Sequence, residues 1–189
     1  ISPFIVEGSN NQLAKAASVS VAGSPGQTSF NPLVIYGGVG LGKTHLLQAI
    51  GNKVLAMTPS PKVHYTTSEK FTLDFISAIQ NNNSSNFSTR YRNVDVLLVD
   101  DIQFLQKKEQ TQEQFFHTFN DLYQRGKQVI LTMDRHPSEL YGLKDRLLSR
   151  FQSGLIVDVQ APNLETRIAI LQKKAADDSL EIPFEITVC

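Results

Sequence analysis

Between an apolar run, Leu33–Tyr36, and a stretch of helical periodicity beginning near Lys43 lies Gly37-Gly38-Val39-Gly40-Leu41-Gly42-Lys43-Thr44, which satisfies the pattern G-x-x-x-x-G-K-[ST]. No other feature limits the possible folds as sharply, because a glycine-rich turn from strand to helix is suited to cradling phosphate. Glycines at positions 37, 38, 40 and 42 let the backbone turn tightly and aim N–H groups at phosphate oxygens. The following helix directs the positive end of its dipole at the same charge. Lys43 adds a mobile cation for the β- and γ-phosphates, and Thr44 a hydroxyl for Mg²⁺. A glycine-rich turn without a ligand is the alternative; the strand before, the helix after and Lys-Thr in register weigh against it.

Apolar runs and amphipathic stretches alternate along the chain. Strands are expected at Leu33–Tyr36, Val63–Thr67, Val94–Val99, Gln128–Met133 and Leu155–Val159. Helices are expected near Gln12–Ala22, Lys43–Met57, Glu69–Gln80, Gln112–Arg125, Lys144–Phe151 and Leu164–Asp177. Asn11 offers an N-cap to the first helix, and Thr111 with Gln114 reads as a capping box for a helix closed by Gly126. Strict alternation, with strands apolar on both faces, implies an α/β fold in which helices sandwich a parallel sheet of five strands.

The third strand ends in Asp100-Asp101. Ligands of open parallel sheets sit beyond the carboxyl ends of the strands. Asp100 is therefore placed to hold Mg²⁺, directly or through water, and Asp101 to orient or deprotonate an attacking water. Two acids capping the next helix are the competing explanation. Asp95, at the opposite end of the strand, is expected to be merely solvated.

Eighteen basic and eighteen acidic residues cancel, which argues against a domain that grips duplex DNA through a broad basic face but leaves room for a local groove. A single cysteine, Cys189, excludes a disulfide framework within the chain and suits a reducing cytoplasm. The apolar runs are too short to cross a bilayer, and no signal peptide is read at the start. His45, His64, His117 and His136 lie on different elements without metal-ligand spacing. Phe115, Phe116 and Phe119 recur at helical spacing and read as core. The chain opens on Ile1 and stops at Cys189 as a new segment begins, so it is expected to be a fragment of a longer protein.

Four blocks carry a resemblance to a known family. Asn31–Leu47 around the phosphate loop, Val96–Leu105 around the acids, Glu113–Asn120 and Asp145–Phe151 resemble the AAA+ ATPase core of bacterial DnaA replication initiators. The resemblance implies a three-layer P-loop NTPase over residues 1–182, with 183–189 the truncated start of a helical lid that is otherwise missing. It implies ATP or ADP held by Gly38, Val39, Gly40, Leu41, Gly42, Lys43, Thr44 and His45, with Val6, Gly8 and Asn11 in the stretch against adenine. Asp134 matches a sensor of the γ-phosphate, and Arg150 an arginine finger that acts on the neighbouring subunit's nucleotide, with Arg146 beside it at the interface. For Arg150 the other reading is a cation favoured by its helix's C-terminal dipole.

Glu69–Arg92 corresponds to the family's initiator-specific insertion, and Ile76, Lys108 and Thr111 fall at positions used against single-stranded DNA. Gln110 stands where the family commonly has arginine, which removes a charge-assisted phosphate contact. On periodicity alone Ile76 reads as an ordinary core side chain. The family's ATP is mainly a switch, which fits a water-activating Asp and slow turnover. The implied partners are origin DNA, further copies in a helical oligomer, the replicative helicase through other domains, and acidic phospholipids. The implied role is initiation; a DnaA-related regulatory adaptor and a helicase loader are the competing ones.

Overall fold

In the computed structural model, which describes residues 11–177, helices and strands alternate from Gln12 to Asp177 except where two helices in succession join the second and third strands. The order is α1 (Gln12–Gly23), β1 (Leu33–Tyr36), α2 (Lys43–Met57), β2 (Val63–Thr67), α3 (Ser68–Gln80), α4 (Ser84–Arg92), β3 (Val96–Asp100), α5 (Glu109–Gln124), β4 (Gln128–Met133), α6 (Asp145–Gln152), β5 (Leu155–Asp158) and α7 (Leu164–Asp177). A short 3-10 turn, Ile102–Leu105, follows β3 and another, Pro137–Glu139, follows β4. The strands form one parallel sheet in the order β2-β3-β4-β1-β5.

Period-two alternation along the central strands divides the core into two layers. Leu33 and Ile35 of β1, Val96 and Leu98 of β3 and Ile130 of β4 face α1 and α2, where they meet Ala17, Leu47, Ile50 and Val54. Val34, Leu97, Val99, Val129 and Leu131 face the other way, toward Phe71, Tyr91, Phe115, Phe119 and Phe151 of α3, α4, α5 and α6. Helices cover both faces, so β3 and β4 are buried along their whole length and mostly apolar. α2 lies close to the sheet: a side chain at Gly51 would bring Cβ within 2.6 Å of Leu98 Cδ1.

Several local expectations are overturned by longer-range contacts. β3 runs Val96–Asp100, not Val94–Val99, so Asp100 is the strand's last residue. The capping box at Thr111 and Gln114 does not form. α5 starts at Glu109, and Thr111 is 5% exposed on its inner face. Asn11 stands at the head of α1 without capping it; its side-chain amide instead donates to Gln160 O at 3.1 Å and accepts from Gln160 N at 2.8 Å, pinning α1 to the exit of β5. Asp95 is paired with Lys127 Nζ at 2.8 Å and accepts from Lys62 N at 2.9 Å, which holds its carboxyl below the usual range. Gly126 closes α5 as expected, with φ +66°. Among the described residues no helix is long and apolar enough to cross a membrane.

Phe71 is fully buried, and its ring meets those of Phe87, Tyr91 and Phe115 edge-on at centroid separations of 5.2, 4.8 and 5.3 Å. Phe71→Ala should lower the unfolding free energy by about 3–5 kcal/mol in urea titration; a loss under about 1 kcal/mol would mean that α3 does not depend on this cluster.

Candidate functional site

The loop between β1 and α2 carries its glycines where the backbone demands them. Gly42 occupies the N-cap of α2 in the left-handed region at φ +85°, with no side chain to cap the helix, so the first-turn N–H groups are left to a ligand or water. Gly37 passes so near β5 that a Cβ would lie 2.3 Å from Val159 O. Lys43 opens α2 and is 8% exposed; its Nζ donates to Gly38 O at 2.8 Å, folding the ammonium back over the loop. Thr44, His45 and the tip residue Val39 are exposed, and Leu41 is half-buried against the core.

Across β4 from this loop stand the two acids. Asp100 is 2% exposed at the end of β3. Its Oδ2 accepts from the Tyr65 hydroxyl at 3.1 Å, and its Oδ1 accepts from the Thr132 hydroxyl. The same Thr132 oxygen accepts from Asp101 N at 3.0 Å, so one buried hydroxyl joins both acids. Asp101 lies in the left-handed region, φ 57° and ψ 55°, a conformation that a non-glycine residue adopts at a cost. Ser68 Oγ donates to Asp101 O at 2.5 Å, and Gln103 Nε2 donates to Asp101 Oδ1 at 3.0 Å. Burial, and then the negative charge of Asp100, raise the Tyr65 phenol above its ordinary value, which keeps it a donor.

Tyr65, Thr132, Ser68 and Gln103 were not singled out from the sequence. For Thr132 a signal existed: it is a hydroxyl set among the apolar residues of Val129–Met133. Tyr65 on β2 and Ser68 at the start of α3 gave none, because their partners lie 35 and 33 residues away.

The remaining candidates are dispersed. Asp134 follows β4 and is engaged by Arg135 through Nε and Nη2, both at 3.0 Å. Arg146 turns onto its own chain: it pairs with Glu113 of α5 and lies 4.6 Å from the centroid of Phe116. Glu113 also takes Lys144 Nζ and His117 Nε2, each at 3.2 Å. Arg150, near the end of α6, is half-buried with its guanidinium 5.9 Å from the Tyr123 ring centroid, and among the described residues it pairs with no carboxylate. Ile76 is 43% exposed and its neighbours Leu73 and Ile79 are more exposed still, so the reading of Ile76 as core is corrected. Lys108 is exposed at the head of α5, whereas the inward-turned Thr111 does not share a surface with it. Val6, Gly8 and residues 183–189 lie outside the described residues.

Residues 3–158 match the family model described as the bacterial DnaA ATPase domain. Domain III of the Thermotoga maritima replication initiation protein DnaA superposes with a TM-score of 0.93 at 45% identity, over 98% of this chain and 77% of that one. DnaA from Aquifex aeolicus bound to AMPPCP superposes with a TM-score of 0.89 at 41% identity, over 97% of this chain and 56% of that one. A replication initiator DnaA bound to AMPPCP and single-stranded DNA gives 0.88 at 40% identity, again over 97% and 56%. The chain spans a little over half the length of the last two.

Arg146 first, and Lys144 second, hold the Glu113 carboxyl down to about 2 from its ordinary 4.5. A depressed folded value means that this clamp between α5 and α6 is fully present above the unfolded value and is lost as pH falls through about 2. Glu113→Gln should flatten that acid limb, seen as a smaller fall in thermal midpoint between pH 4.5 and pH 2 than in the unaltered protein. The difference should shrink in high salt, because the pair is exposed. Parallel acid limbs would contradict the clamp.

Proposed function

The chain belongs to the bacterial DnaA ATPase domain family, and from that membership we propose that it is the nucleotide-switched core of a chromosomal replication initiator, binding ATP and hydrolysing it slowly. The observation that carries this reading is the glycine-rich loop and Lys43 standing across one strand from two acids joined by the Thr132 hydroxyl. The regulatory adaptor and the helicase loader are not favoured by the DnaA matches.

In this reading the loop N–H groups and the head of α2 receive the phosphates, and Lys43 leaves Gly38 O to pair with the β- and γ-oxygens. Thr44 and Asp100 would hold Mg²⁺: both offer hard oxygen donors, and each Asp100 oxygen retains acceptor capacity beyond its single hydrogen bond. When bound, that ion would neutralise charge on the triphosphate. Asp101, fixed by Gln103 and by its own held backbone, orients water and accepts its proton. Asp134, at the tip of β4, exchanges Arg135 for contact with the γ-phosphate, directly or through water.

Arg150 of one subunit reaches the nucleotide of the next, which makes assembly depend on ATP. Arg146 joins that interface on leaving Glu113. Ile76 on α3 and Lys108, with Lys107, serve single-stranded DNA, in keeping with the exposure of all three. ATP-dependent assembly of this core on the origin would open the duplex, while binding of duplex origin DNA and of the replicative helicase would fall to other domains of such an initiator.

Lys43→Ala should abolish ATP binding in equilibrium dialysis; micromolar affinity retained by this variant would defeat the phosphate-loop reading. Arg150→Ala, tested in the full-length initiator, should bind ATP normally yet fail to assemble on ATP addition in analytical ultracentrifugation. Unchanged assembly would remove Arg150 from the interface.

A further inference from the structure

Tyr65 lies on β2, the edge strand of the sheet, in register with Leu98, two residues before the pairing of Thr67 with Asp100. Its ring therefore leans along the strand to bring the hydroxyl to Asp100 Oδ2 at 3.1 Å. Tyr65 is 40% exposed, so the inward reach of the hydroxyl is not explained by core packing. A carboxylate held at one oxygen alone can still swing about its Cβ–Cγ bond. Thr132 grips Oδ1, and Tyr65 supplies the second point that stops the rotation. Two donors also satisfy a carboxylate that is almost wholly removed from water, where an unpartnered oxygen is costly.

We infer that Tyr65 is a positioning residue for the metal arm of the site, fixing the Asp100 carboxylate in rotation. The inference rests on the reading of Asp100 as a Mg²⁺ ligand. Outer-shell donors of this kind commonly carry a tenfold or larger effect on metal affinity.

The test is a Mg²⁺ titration of the 189-residue chain with a fluorescent methylanthraniloyl-ATP, run beside an EDTA series. Tyr65→Phe keeps the ring and removes only the hydroxyl; unliganded thermal midpoints establish that the variant is folded. It should raise the Mg²⁺ concentration for the half-maximal gain in nucleotide affinity roughly tenfold, with affinity in EDTA unchanged. Asp100→Asn, measured in parallel, should remove the Mg²⁺ response. If Asp100→Asn removes the response and Tyr65→Phe leaves the midpoint where it was, the positioning role is wrong and the ligand assignment stands. If Asp100→Asn also keeps the response, Asp100 is not the ligand and both statements fall. An equal loss of affinity with and without Mg²⁺ in Tyr65→Phe would mark a general structural role and overturn the inference.

Discussion

One hydroxyl, Thr132 Oγ1, sits where the sheet, the acids and the phosphate loop meet. Register places it there: Thr132 on β4 is opposite Ile35 on β1, and Val99 of β3 is opposite Leu131, so Asp100 comes alongside Thr132 from the other side. Donating to Asp100 and accepting from Asp101 N, the hydroxyl uses both its capacities within the protein. A valine there would fill the same volume and leave a buried carboxylate and a buried N–H each short of a partner. Apolar strands can bring β3 and β4 together, but only a polar group at this position lets the pair end in two usable acids.

The second acid stands in a conformation that ordinary chain energetics disfavours. A non-glycine residue in the left-handed region costs on the order of 1–3 kcal/mol and persists only where its surroundings over-determine it. Around Asp101 they do: Thr132 holds its N–H, Ser68 its carbonyl and Gln103 its carboxylate. Without the turn at Asp101 the chain would continue in the direction of β3. With it, the side chain is presented at the mouth of the sheet and the chain passes into the Ile102–Leu105 turn. The αL residue follows β3, and its three partners come from β4, α3 and the turn itself, so the geometry is a property of the assembled domain.

That dependence separates what could be read from the chain from what could not. The phosphate loop was legible because its determinants are local: glycine positions, a strand before, a helix after and Lys43-Thr44 in register. The central strands β1, β3 and β4 were legible because burial on both faces writes a nearly continuous apolar run, whereas β2 at the sheet edge is partly exposed and mixed in composition. Helix starts were read less well, since Thr111 and Gln114 fit a capping pattern that tertiary packing overrides by burying Thr111 a turn inside α5. Asp95 looked solvated because Lys127 is 32 residues away. Ile76 looked buried because helical periodicity cannot tell a core stripe from an apolar surface left open on a two-helix insertion. Tyr65 and Ser68, partners of the acids, were invisible for the same reason as Lys127: their contacts join elements 35 and 33 residues apart in the chain.

A single buried amide then links the acids to the helix that carries the arginines. Gln112 of α5 is fully buried; its Nε2 donates to Leu105 O at 2.9 Å and to Gly142 O at 2.8 Å, and its Oε1 accepts from Lys144 N at 2.8 Å. Leu105 ends the turn that begins after Asp101, and Lys144 is the residue before α6, which bears Arg146 and Arg150. Lys107 N adds a bond to the same Gly142 O at 3.1 Å. The amide uses its donors and its acceptor in one place, so neither segment can shift relative to the other without leaving a buried polar group unsatisfied. The acid that would act on this chain's own nucleotide and the arginine that would act on a neighbour's are therefore fixed to a common frame, and their separation is set inside the subunit before any neighbour arrives.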